Sequence, residues 1–135
     1  MSLSFLTFPI FTTFTTTATL QLNLIKSTQN TTFAPMIIFN DTVIVEESIH
    51  EKWLNWMHEV YIPAVMETGH FKSYQVLTVI DSPNEGVTYC VQYHAATIDD
   101  FNQFYSRHLH RLQDIHNQEF ENQFVIFNTL MKTVD

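Results

Sequence analysis

The sequence predicts an α+β fold with its elements in the order β-α-β-β-α-β. Three observations carry this. Apolar, strand-forming stretches begin at Ile37, Phe71, Val87 and Phe124. Stretches with apolar residues at three- and four-residue steps begin at Ile49 and Ile98. A cluster of turn formers, Asp81-Ser82-Pro83-Asn84-Glu85-Gly86, joins the second strand to the third.

Ile37 to Val45 is β-branched and apolar, the pattern of a strand covered on both faces. Ser48 and Glu51 have the spacing of a capping box, in which each side chain satisfies the other's free amide. The helix that follows carries Ile49, Trp53, Trp56, Met57, Val60 and Ala64 on one stripe. Pro63 must bend or restart it, because proline has no amide to donate. Gly69 stands where a C-cap glycine belongs. Phe71 to Ile80 and Val87 to Ala95 form a hairpin. Thr97 caps a second helix, with Asp99 and Asp100 favourably placed in its first turn. Its stripe is Ile98, Phe101, Tyr105, Leu109, Leu112 and Ile115. Phe124 to Val134 returns to strand.

This order is the split βαβ, or ferredoxin-like, arrangement: one four-stranded antiparallel sheet with both helices on one face. Apolar side chains alternate onto both faces of the third and fourth strands, so the helix-free face needs a cover. A second copy of the sheet supplies one. The expected assembly is a homodimer through the helix-free face, with Val91 or Phe127 at the interface.

Composition narrows the function classes. The chain has 135 residues, 45% hydrophobic and 14% aromatic, enough for a self-sufficient core. Fourteen acids against six bases give a net charge of -8, which argues against nucleic acid and anionic membrane surfaces. A lone Cys90 excludes an internal disulfide and a multi-cysteine metal site. No apolar run is long enough to span a bilayer. The expectation is a soluble, cytoplasmic protein without a cofactor or metal.

Residues 1–35 differ from the rest, with ten Thr, five Phe and one charged side chain, Lys26. They lack helical periodicity. They also lack the basic start and unbroken apolar run of a secretory signal. An additional strand is an alternative, since Thr and Phe suit one. The reading taken is a non-domain extension, with Met36 as the physiological start and 36–135 as the folded domain.

Met36-Ile37-Ile38-Phe39-Asn40, Glu51 to Met57, Ile62-Pro63 and Thr68-Gly69-His70-Phe71 resemble an uncharacterised bacterial family, domain of unknown function 4286. Val91-Gln92-Tyr93, His108 to Leu112 and Phe124 to Phe127 add to the resemblance, which covers 36 to 135. It implies a ferredoxin-like fold of the dimeric α+β barrel type and no established activity. The family pattern has a histidine before the Ile-Pro pair, where this chain has Tyr61. Barrels of this type include cofactor-independent monooxygenases, haem-degrading enzymes and small ligand-binding proteins.

Seven histidines invite a search for chemistry. His50 and His58, and likewise His108 and His116, lie eight residues apart, two helical turns and about 12 Å, too far for one ion. His108 falls beside the stripe of the second helix, where an imidazole among phenols serves as general base or positions a substrate oxygen. It is the candidate catalytic residue. Trp53, Tyr93, Tyr105 and His108 are the candidate lining of a ligand pocket between helices and sheet; as ordinary core residues they would anchor that same space. Cys90 reads as a buried small hydrophobe. Glu46-Glu47 and Asp99-Asp100 are explained by helix dipoles, and Arg107 and Arg111 by surface ion pairs. With two glycines in the chain, there is no phosphate-binding loop.

Three functional readings follow. The first is a homodimeric α+β barrel of unknown biochemical role that binds a small apolar or aromatic molecule. The second is a cofactor-independent monooxygenase or isomerase-like enzyme using His108 as base. The third is a structural or regulatory interaction module.

Overall fold

A computed structural model describes residues 34–135; the extension assigned to residues 1–35 lies almost wholly outside them. The strands are β1 (Ile37–Val45), β2 (Ser73–Thr78), β3 (Val87–Ala95) and β4 (Phe124–Lys132). They form one antiparallel sheet in the order β2-β3-β1-β4. Helix α1 comprises His50–Trp56, a π turn at Met57–Tyr61 and Ile62–Glu67. Helix α2 comprises Ile98–Phe104, a π turn at Tyr105–Leu109 and His110–Glu119. The element order and the α+β class are those read from the sequence.

Strand register decides which side chains meet the helices. Phe39 pairs with Tyr93, Asp41 with Val91 and Val43 with Tyr89, so these residues share one face. All six are buried. Phe124, Ile126 and Asn128 of β4 stand on the same face, opposite Val45, Val43 and Asp41. Val125, Phe127 and Met131 stand on the helix-free face and are exposed. Of the two interface candidates, Phe127 is therefore on the helix-free face, whereas Val91 packs beneath the helices. Cys90 is also on the helix-free face, half-buried beside Thr42.

Both helix stripes differ from expectation, and the π turns are the reason. A π turn inserts one residue into the i→i−4 ladder and rotates everything beyond it. In α1 the amide of Ile62 donates to the Met57 carbonyl, five residues back, just before Pro63. Val60 is consequently 46% exposed, while Tyr61, Ile62 and Val65 turn inward. In α2, Phe101 and Phe104 face the core before the turn and Leu109, Leu112 and His116 after it. Tyr105 and Ile115, which a regular helix would bury, are exposed, as is Ile98 at the helix start, ahead of the turn.

The helix ends follow local chemistry with one exception. The Thr97 hydroxyl accepts from the Asp100 amide at 3.1 Å. Gly69, at φ 80°, donates its amide to Met66 and closes α1. The capping box at Ser48 does not form; Glu47–Ile49 is a 3₁₀ turn with no side-chain cap. Gly86 is required at the hairpin: its φ is 92°, and a Cβ there would collide with the Val45 carbonyl oxygen.

Candidate functional site

The four residues expected to line one pocket are dispersed. Trp53 is fully buried under α1, stacked on Tyr89 at 5.2 Å. Tyr93 is buried among Phe39 and Phe71, and its hydroxyl has no hydrogen-bond partner. Tyr105 is 61% exposed. His108, in the π turn of α2, is half-buried against His70 at 5.6 Å and Phe104 at 6.3 Å. Partial burial, then His70, Arg111 and Arg107, hold its pKa below the usual histidine value. The chain of rings Tyr93–Phe71–Phe104–His108 is packed and solid. His108, within the π turn, stays half-buried at the end of that row.

The π turn brings His116 inward instead. His116 is 2% exposed and accepts a hydrogen bond on Nε2 from Trp53 Nε1 at 2.9 Å. An indole N–H only donates, so Nε2 is unprotonated and Nδ1 carries the hydrogen. Phe124 of β4 lies flat on the ring at 3.9 Å and 3°, and Trp56, Tyr61 and Phe120 enclose it. Burial lowers the His116 pKa to about 4, so the ring is neutral at pH 7. Trp53 thus fixes the tautomer of His116, a positioning role distinct from a ligand wall.

His116 borders a cleft of about 200 Å³ between α2 and β4, lined also by Gln113, Asn117, Phe124 and Ile126. The next residue on that face of β4 is Asn128, which donates to Asp41 Oδ1 and accepts from Gln113 Nε2 at 3.4 Å. Asp41 is 3% exposed at the centre of the sheet's covered face. Burial, only partly offset by the Asn128 amide, raises its pKa to about 7. Burial foremost, and Asp41 next, raise the pKa values of Tyr61 and Tyr93, which remain neutral phenols. Perturbed ionisable groups beside a cleft are a physical signature of function. Two larger grooves, each about 500 Å³, lie elsewhere: one between α1 and β2, where burial, then Glu51 and Glu47, raise the pKa of Tyr89, and the other at the sheet end near Gly86.

The sequence reading passed over Asp41 and His116. Asp41 carried a usable signal, since alternation with Ile37, Phe39, Val43 and Val45 puts a carboxylate on an apolar face. His116 carried none without the π turn.

The family model for Domain of unknown function (DUF4286) matches residues 36–134. The chain belongs to this family. No curated protein matches this DUF4286 chain. Two solved structures share its fold. One is a dimeric ferredoxin-like protein from an uncultured marine organism, with TM-score 0.55 and 10% identity, covering 75% of this chain and 96% of that one. The other is an ethyl tert-butyl ether d (EthD) family protein from Bacillus halodurans, with TM-score 0.51 and 10% identity, covering 73% and 98%. At such identity they establish the ferredoxin-like fold of this DUF4286 chain and nothing about its chemistry.

Proposed function

We propose that the protein is a homodimeric α+β barrel whose subunits each bind one small, ring-sized molecule in the α2–β4 cleft. The observation that carries the binding reading is His116, held by Trp53 as a neutral tautomer at the cleft wall. Its Nδ1–H suits a ligand oxygen, and the amides of Gln113 and Asn117 add polar contacts beside the apolar Phe124 and Ile126. A cavity of roughly 150 Å³ is enough to hold one benzene ring. Phenol is therefore a suitable probe. In a ¹⁵N NMR titration of the full chain, phenol should shift the amides of Gln113, His116, Asn117 and Ile126, and Ile126→Trp should abolish those shifts. Shifts confined to other regions would overturn the reading.

The dimer reading rests on the helix-free face, where Val125 and Phe127 are 54% and 56% exposed. On the same face, Asn40 Oδ1 and His94 Nε2 are buried without hydrogen-bond partners. A second sheet would cover the former and offer partners to the latter, and one solved structure of this fold is named as dimeric. Among the described residues no helix is long and apolar enough to cross a membrane.

A further inference from the structure

We propose that His70, just past the end of α1, and Arg107, His108 and Arg111 of α2 bind phosphate, free or as the terminal group of a small ester. This site is separate from the α2–β4 cleft and does not require that cleft to hold a ligand.

Charge placement is the first argument. The chain has six Lys and Arg against 14 Asp and Glu, and its only two arginines lie four residues apart on α2. Neither makes the surface ion pair expected of it from the sequence. Among the described residues the one ion pair joins His110 to Asp114 at 3.1 Å. Residues 1–33 contain no Asp or Glu that could supply another. A chain with a surplus of acids thus leaves two neighbouring guanidiniums unneutralised.

Geometry is the second. Residues three and four apart on a helix are surface neighbours, which puts Arg111 beside both His108 and Arg107. The His70 ring lies 5.6 Å from that of His108, so a second imidazole reaches the same place from the end of α1. Gly69, at φ 80°, turns the chain just before it, and Phe104 backs the His108 ring at 6.3 Å. At that separation a nitrogen of each imidazole can donate to a different oxygen of one tetrahedral anion, through hydrogen bonds of about 2.9 Å. The planar fork of a guanidinium matches the remaining oxygens. Both arginines are exposed and both histidines half-buried, so the four side chains are open to a ligand.

The local field agrees. After partial burial, the groups that hold the His108 pKa down are His70, Arg111 and Arg107, with no acid among them. A doubly charged anion reverses that field. The chain has too few glycines for a backbone phosphate cradle, and here side chains take the place of one.

Sulfate is the first probe, because it stays a dianion from about pH 5 to 8 whereas phosphate changes its own charge in that range. Titrated into the full chain at constant ionic strength, sulfate should shift the NMR signals of the His70 and His108 rings and of the Arg107 and Arg111 Nε–H groups. It should also raise the His108 pKa. By linkage its affinity should increase, as pH falls, by about 10-fold for each unit of that rise. Arg111→Gln, a change at an exposed position, should weaken sulfate binding about 10-fold and raise the His108 pKa of the free protein. At pH 8 inorganic phosphate and methyl phosphate should both displace sulfate. Equal or tighter binding of the ester assigns the site to a phosphate monoester, and weaker binding assigns it to free phosphate. Signals that move no further than with sodium chloride at equal ionic strength would overturn the proposal. So would one affinity at pH 5 and pH 8, or unchanged binding in Arg111→Gln.

Discussion

Asp41 and His116 impose opposite pH dependences on folding, and replacing Asp41 with Asn exposes both. Burial raises Asp41 from 3.8 to about 7, so between those values the folded chain holds a proton that the unfolded chain has released. Its contribution to stability is complete below pH 3.8 and is lost as pH rises through 7. At 1.36 kcal/mol per unit, the change is about 4 kcal/mol. His116 is lowered from 6.5 to about 4, so its contribution is complete above pH 6.5 and is lost as pH falls through 4. That change is about 3 kcal/mol in the opposite direction. Across pH 4 to 6.5 the two slopes nearly cancel, and the wild-type curve should be close to flat as far as these groups are concerned. In Asp41→Asn only the histidine slope remains. Stability should climb by about 3 kcal/mol from pH 4 to 6.5, and the gap from wild type should widen in the variant's favour by about 4 kcal/mol between pH 4 and 8. Urea unfolding at fixed protein concentration, repeated at half-unit pH steps, measures this. Parallel wild-type and variant curves across that range would refute the assignment of a buried, proton-holding carboxyl.

The remaining predictions concern packing and assembly. Trp53→Phe opens space in a fully buried site and removes the hydrogen bond to His116, so thermal unfolding should show a loss of about 2–4 kcal/mol. The His116 pKa, followed by NMR, should rise in the same variant, because the donor to its neutral form is gone. Gly86→Ala should destabilise by about 2 kcal/mol or more through its positive φ and its collision with the Val45 carbonyl. Gly69→Ala, with positive φ but open space, should lose only about 1 kcal/mol. Phe127→Glu should convert the dimer to soluble monomer in native mass spectrometry; an unchanged dimer would remove the helix-free face from the interface.

The succession of elements, both helices and the hairpin were legible because each rests on local signals: β-branched runs, turn formers, the Thr97 cap and Gly69. The candidate site was not, for two physical reasons. Asp41 sits within nine strand residues that read as apolar taken together; only its alternation with Phe39 and Val43 marks it as a carboxylate facing the core. The inward turn of His116 depends on a π turn, and no residue type between Tyr105 and Leu109 announces one. With 3.6-residue periodicity carried unbroken through α2, Ile115 and His108 belong inside; with one residue added, His116 does. Pro63 was the one visible hint in α1, since its missing amide leaves a carbonyl that the local geometry must accommodate.

The π turns also make each helix a device with two phases. Removing one residue, Val60 from α1 or Ser106 from α2, would let the backbone relax to an ordinary α-helix while leaving the apolar composition almost untouched. In the first case the residues beyond the deletion would rotate by about 100° relative to those before it, and in the second the ring now stacked on Phe124 would rotate away by the same amount. A single-codon deletion would then exchange one set of inward side chains for another without breaking the sheet beneath. The identity of the groups beside the cleft is set as much by the count of residues in α1 and α2 as by which residues they are.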